Sequence, residues 1–256
     1  MAVRTESFPA RARWARGRVA SWITTVDHKR IGILYIATSL VFFGAGGILA
    51  LLMRAQLATP GEHFVTKDSY NELFTIHGTT MIFLVVVPIV AGFGNFLVPL
   101  MIGARDVAFP RLNAFSYWCF ALGGVILYLS WFSSGGAARA GWTGYPPLSD
   151  SFTAGHGQDL WILSLHVLTI GSLAGAINFV ATIHNMRAPG MTWMRLPLFV
   201  WSIEIYALML LAVLPALSAG LTLLLLDRQV GTHFFIPDKG GNAVLWQHVF
   251  WFFGHQ

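Results

Sequence analysis

The sequence predicts an all-α, polytopic transmembrane helix bundle: five full spans, the start of a sixth, and an N-terminus on the cytoplasmic side. Three observations carry that prediction. Of 256 residues, 55% are apolar and only 11% are charged, where a soluble globular protein carries about 25% charged residues; mean hydropathy is +0.64. The apolar residues fall in continuous runs of about 20 or more, the length a helix needs to cross the hydrocarbon core. The basic residues collect in alternate loops, the asymmetry that sets orientation. So few charges cannot cover a soluble domain, and disorder, collagen or a coiled coil would each need more polar residues or a strict period. A membrane β-barrel would need segments of about 10 residues alternating apolar and polar. These runs, rich in Leu, Ala, Met and Gly, do not alternate. The single cysteine, Cys119, lies inside an apolar run, which rules out an internal disulfide and a cysteine-built zinc site.

Residues 1–30 form a basic tail with Arg4, Arg11, Arg13, Arg16 and Arg18 among Trp14, Trp22 and Ile23. Its composition admits a transit peptide. The charge asymmetry of the whole chain favours a juxtamembrane tail with a short interfacial helix. Residues 31–256 form the membrane domain, with spans read at 31–53, 73–103, 112–133, 160–183 and 198–226. A sixth apolar run starts near Val244 and reaches Gln256 after about 13 residues, short of the ~20 that a span needs. A helix stopping in mid-bilayer leaves its last carbonyls without partners, so the chain is expected to be the front part of a longer protein. Eleven of the 16 Lys and Arg lie in the tail, the second-to-third loop (Arg105, Arg111) and the fourth-to-fifth loop (Arg187, Arg195). The other five, Arg54, Lys67, Arg139, Arg228 and Lys239, share the opposite side with seven of the 11 acidic residues. The tail is therefore predicted to be cytoplasmic, or on the matrix side of a mitochondrial membrane.

Ionisable residues inside spans are costly and mark functional sites. His77, His166, Glu204, His248 and His255 are such residues, and Asp106 stands at a helix-loop edge. His77 lies near the outer side of the second span. A neutral imidazole there is a candidate metal ligand, although a histidine satisfied within a core reads the same way. His248 and His255, seven apart, share a helix face but stand about 10 Å apart along the axis, so at most one serves a given centre. Trp246, Phe250, Trp251, Phe252 and Phe253 around them would wall a large flat cofactor or pack the bundle. Glu204 has no partner legible in the sequence, which leaves a water-filled cavity or another subunit as what it faces. In the second span Gly92-Phe93-Gly94-Asn95 lies between Pro88 and Pro99, small residues that let helices approach closely. Asn95, Asp106 and Asn113 collect at the cytoplasmic end, one carboxylate and two amides that can hold ordered water at a proton entrance. A capped helix end and a turn through 106–110 would use the same residues. These residues alone leave a transporter or channel as open as a redox enzyme.

In order along the chain stand Thr24, Val26-Asp27-His28-Lys29, Thr75-Ile76-His77, Met81-Ile82-Phe83, Gly92 to Gly103, and Asp106 with Ala108-Phe109-Pro110-Arg111. Beyond them come Trp142 with Tyr145-Pro146-Pro147-Leu148, Gly175-Ala176-Ile177-Asn178-Phe179, Pro197-Leu198-Phe199-Val200-Trp201 and Trp251-Phe252-Phe253-Gly254-His255. Through these segments the chain resembles subunit I of the heme-copper terminal oxidases, of the cytochrome c oxidase type, over nearly its whole length. The resemblance implies a membrane enzyme that reduces dioxygen to water with electrons from cytochrome c and pumps protons in the aerobic respiratory chain. Implied partners are subunits II and III and no nucleic acid, and the implied location is the bacterial plasma membrane, or the mitochondrial inner membrane in a eukaryote. The implied cofactors are a low-spin and a high-spin heme, heme A by type, and copper.

Carried over residue by residue, the resemblance makes His77 an axial ligand of the low-spin heme iron and His255 the first copper ligand. Arg54 stands where the family has an arginine at the low-spin heme's edge, and Tyr70 and Trp142 where it contacts heme propionates. Asp106 resembles the proton-uptake acid, with Asn95 and Asn113 as partners and Ser116 and Ser172 continuing a water chain. Gln256 stands where the family has proline. The high-spin heme site and most of the copper site would lie beyond residue 256, so the chain alone is expected to be inactive. The alternatives are a quinol oxidase subunit I and an inactive truncated heme-binding membrane fragment.

Overall fold

The computed structural model describes residues 18–61, 64–150 and 155–255; Arg4, Arg11, Arg13, Trp14 and Arg16 of the expected tail, and Gln256, lie outside them. The main regular elements are helices: α1 (Arg18–Ile23), α2 (His28–Gln56), α3 (Lys67–Thr79), a π-helical turn (Thr80–Val86), α4 (Val87–Ile102), α5 (Pro110–Leu129), α6 (Gly157–Asn185), α7 (Leu198–Val230) and α8 (Ala243–Gly254). No strand occurs among the described residues. Five of these rods are long and apolar enough to cross a membrane, the second being α3, the π turn and α4 run together as Lys67–Ile102. The 12-residue α8 is the sixth.

Helices α2 and α3 start earlier than their apolar runs because polar caps set their ends. The Asp27 carboxylate accepts from the Lys29 and Arg30 N–H groups at 3.1 and 3.0 Å, so α2 opens three residues ahead of its apolar stretch. Thr66 Oγ1 accepts from the Ser69 N–H, which brings Tyr70 and Asn71 into α3. Gly103 and Gly231 close α4 and α7 in the left-handed conformation, each at φ 75°, a backbone state that a Cβ disfavours.

The most extensive helix packing is α5 on α6, α2 on α4 and α6 on α7. Small residues permit the close approaches. A Cβ on Gly92 would stand 2.8 Å from Ile36 Cγ1, and one on Gly171 would stand 2.8 Å from Cys119 Cβ and 2.9 Å from the Ser116 carbonyl.

Two ends of the bundle are distinct. At one, the loop after α4 is pinned to α6: Ala108 N–H donates to Thr182 Oγ1, Phe109 N–H to Asn178 Oδ1, and Ala188 N–H to the Ile102 carbonyl, at 2.8–2.9 Å. Arg105, Arg111, Arg187 and Arg195 belong to this basic end. At the other, acidic end, Gly141 N–H donates to Thr75 Oγ1, Trp246 Nε1–H to the Thr143 carbonyl, and Arg228 pairs with Asp159. The sequence assigned these loops to opposite sides, and the fold separates them in the same way.

Candidate functional site

His77 sits on the last regular turn of α3, immediately before the π turn. Its Nδ1 lies 2.9 Å from the Gly46 carbonyl of α2. A carbonyl can only accept, so Nδ1 carries a proton, and in the neutral ring Nε2 keeps its lone pair. Among the described residues Nε2 has no partner. A ring fixed by a backbone carbonyl with its far nitrogen free is how a metal-ligating histidine is oriented. Elsewhere on α2, an added Cβ on Gly44 or Gly47 would meet nothing within 4 Å.

The other residues expected here are placed by helix geometry. Tyr70 precedes His77 by seven residues and shares its face of α3, roughly 10 Å towards the acidic end. Arg54 stands seven residues after Gly47 and extends the open glycine face of α2 towards the same end. Its side chain is exposed and unpaired among the described residues. Trp142 lies over Gly78, where a Cβ would stand 3.0 Å from Trp142 Cδ1. The Trp142 loop is held there by the Gly141–Thr75 hydrogen bond of 2.9 Å. Arg54, Tyr70 and Trp142 thus all lie towards the acidic end of the bundle from His77.

His255 caps α8 and is exposed; its backbone N–H donates to the Trp251 carbonyl. His248 is exposed as well. The aromatic residues around them divide between the bundle interior and the exposed surface. Trp246 and Phe250 are buried and stacked on one another, Phe250 meets Trp142, and Phe253 stacks on Phe83 at 5.6 Å. Trp251 and Phe252 are exposed. No three His, Cys, Asp or Glu among the described residues gather into a metal cage. A metal at His77 or His255 would bring its remaining ligands or take them from other chain segments.

At the basic end, Asn95 and Asn113 are buried and Asp106 is partly exposed. None bonds another directly: Asp106 Oδ1 accepts from the Val107 N–H, and Asn95 Nδ2–H donates to the Ala91 carbonyl. Asn95 Oδ1 and Asn113 Nδ2 are buried without partners. Asn95 lines an interior cavity together with Ser116, Ser172, Tyr35 and Tyr206. Its volume of about 30 Å³ holds about two waters. A hydrogen-bonded chain leads to it: Tyr35 OH donates to Ser116 Oγ at 3.0 Å, and Ser116 Oγ–H donates to the Asn113 carbonyl at 2.8 Å. Sequence reasoning missed Tyr35 and Tyr206, since a tyrosine in a span signals ordinary packing as readily as a polar lining. It also missed His28, 1% exposed, whose Nδ1–H donates to the Asn95 carbonyl at 2.8 Å.

Glu204 has a partner after all. The fully apolar surroundings of the fifth span hid it: His184, at the end of α6, places Nε2 2.7 Å from Glu204 Oε1. The expectation that Glu204 faces a water-filled cavity or another subunit is corrected accordingly. His184 sits just past the fourth apolar run, where a histidine reads as a helix-end residue.

Comparison with known proteins gives a consistent picture. Residues 30–256 match the family model described as cytochrome C and quinol oxidase polypeptide I. The chain is similar to cytochrome c oxidase subunit 1 of Bacillus subtilis, 53% identical over 234 residues, covering 91% of this chain and 37% of that protein. It is similar to cytochrome c oxidase subunit 1 of Corynebacterium efficiens, 50% identical over 244 residues, covering 94% and 42%. The probable cytochrome c oxidase subunit 1-alpha of Streptomyces avermitilis is 47% identical over 248 residues, covering 96% and 43%. The chain thus spans about two fifths of the length of these relatives.

Proposed function

Because the chain belongs to the cytochrome c and quinol oxidase polypeptide I family, we propose that it supplies the low-spin heme ligand and the proton entrance of a cytochrome c oxidase subunit I. The complete subunit would reduce dioxygen to water with electrons from cytochrome c and pump protons, in a plasma-membrane complex with subunits II and III. The observation that carries the reading is the His77 ring, locked by Gly46 with Nε2 free, in a chain about half identical to named cytochrome c oxidase subunits.

The residues present fit a heme-iron ligand: the Gly46 carbonyl orients the His77 ring through Nδ1, and Nε2 would be left to bind the iron. When bound, the hemes and copper supply the electron transfer and the oxygen chemistry. The protein's part is binding, orientation and proton supply. Gly46 holds the His77 tautomer. Arg54, Tyr70 and Trp142 offer a cation and two hydrogen-bond donors to propionates at the acidic end. His255 offers one imidazole to copper. Asp106, partly exposed at the basic end, takes protons from the cytoplasm. Waters bound to Asn95 Oδ1 and the Ser116 and Ser172 hydroxyls carry them inward. Charge arriving in a low-dielectric bundle is costly unless compensated, which ties proton uptake to electron arrival.

The test is His77→Met in the complete subunit assembled with its partners. Reduced-minus-oxidised spectra should lose the low-spin heme band. An unchanged band would overturn the ligand assignment.

A further inference from the structure

Glu204 is 2% exposed, near the start of α7. Its Oε1 is paired with His184 Nε2, while Oε2 is buried with no partner. A buried carboxylate oxygen without a donor is expensive, and it is satisfied by a proton or an internal water. The His184 side chain is 45% exposed, and Nδ1 has no partner among the described residues. One half-exposed imidazole therefore holds a buried carboxylate through one nitrogen and keeps the other unpartnered among the described residues. The ring is caged by the Trp193 edge at 4.7 Å, with the Arg187 guanidinium 4.2 Å over that indole. Trp201 Nε1–H fastens the turn by donating to the Trp193 carbonyl at 3.0 Å.

We propose that His184 and Glu204 form a proton-binding dyad at the basic end, in which the exposed imidazole relays a proton from water to the buried carboxylate. The transfer balances within the two side chains. A proton from solvent bonds to Nδ1, the Nε2–H bond breaks, and that proton bonds to Oε1. The imidazole ends neutral in its other tautomer, and Glu204 ends as a neutral acid. Oε2 is the acceptor left to an internal water. Tautomer exchange of this kind is what a two-nitrogen ring offers and a lysine does not.

The surroundings leave the dyad to itself. Arg187 donates to the Ile183 and Met191 carbonyls, Arg195 to the Gly190 carbonyl, and Asp106 accepts from Val107. His166 is bonded to the Ile162 carbonyl and to Thr222, Tyr206 lines the interior cavity, α4 has no ionisable side chain, and His248 and His255 are exposed. The dyad is also separate from the Asp106 loop. That loop is held at Thr182, and His184, two residues on, points about 200° around α6 from it.

The use of this proton by a redox centre rests on the function proposed above; the titration itself does not. The experiment is infrared difference spectroscopy of the complete, membrane-reconstituted protein between alkaline and acidic buffer. A protonated-carboxyl band should appear on acidification and be absent in Glu204→Gln, which keeps the shape and one hydrogen bond to His184. After a rapid pH drop, His184→Ala should slow the rise of that band by roughly 100-fold, the low end of what a positioned proton-transfer group contributes. Added imidazole should restore the rate, which a purely structural role would not allow. A spectrum unaffected by Glu204→Gln, or a His184→Ala rise as fast as the parent's, would overturn the dyad. The heme spectrum of the same sample reports separately on the proposed function. A heme band without a Glu204 band sinks only the dyad, and the reverse sinks only the oxidase reading.

Discussion

Pro99 has no N–H, so the Asn95 carbonyl one turn back loses the donor that any other residue would have offered. His28 Nδ1–H fills the gap at 2.8 Å from another helix, joining the start of α2 to the residue that lines the interior cavity. A helix breaker in α4 and a buried histidine in α2 are thus one device. His28→Leu should destabilise the protein by about 1–3 kcal/mol by orphaning that carbonyl. Adding Pro99→Ala should recover part of the loss, because the new N–H faces the same carbonyl. Denaturation midpoints of the two single variants and the double variant check it, and strict additivity would break the link. Asp106 makes a functional prediction at the same scale. Asp106→Asn in the complete enzyme should slow turnover and lower the proton-per-electron ratio in liposomes; parental behaviour in both assays would remove it from the uptake path.

At the scale of elements, the π turn separates the two sites. Thr80–Val86 closes with the Val87 N–H on the Ile82 carbonyl, one residue more than an α turn, and Pro88, next in the chain, has no N–H to offer Leu84. The extra residue rotates the face of α4 by about 100° relative to that of α3. His77 and Asn95 are therefore set on their partners independently of a regular helical register. Close helix contact is the other element-level feature. Gly171 brings α6 onto the α5 backbone, and Gly171→Ala should cost about 1–3 kcal/mol through overpacking, read as a lower denaturation midpoint with the helix content intact. The five spans were legible in the sequence because length and continuity of apolar runs are enforced by the bilayer alone. The caps at Asp27 and Thr66 extended them by local chemistry that hydropathy does not register. The π turn left no trace beyond Pro88, since its residues are as apolar as their neighbours. The His184–Glu204 pair was hidden for a different reason: its members lie on two helices joined by a loop, and no spacing rule links them.

For the whole molecule, the separation of charge between the two ends decides which way the bundle sits. The fold places the α4–α5 and α6–α7 loops together, pinned through Ala108, Phe109 and Ala188, and both carry arginines. The opposite end gathers Asp68, Asp159, Asp227 and Asp238. Basic loops stay on the cytoplasmic side during insertion, which would turn Asp106 and the His184–Glu204 pair to the compartment from which protons would be drawn and Arg54, Tyr70 and Trp142 towards the outer surface. That arrangement is open to direct measurement because the chain has a single, buried cysteine. In a Cys119→Ala background of the complete subunit, Arg105→Cys and Asp238→Cys each introduce one exposed thiol. A membrane-impermeant thiol reagent applied to right-side-out vesicles should label Asp238→Cys and spare Arg105→Cys, and inverted vesicles should reverse the pattern. Labelling of Arg105→Cys from outside would turn the bundle over. Asp106 and His184 would then face the wrong compartment for proton uptake, and the functional reading of that end would fail whatever the heme spectra show.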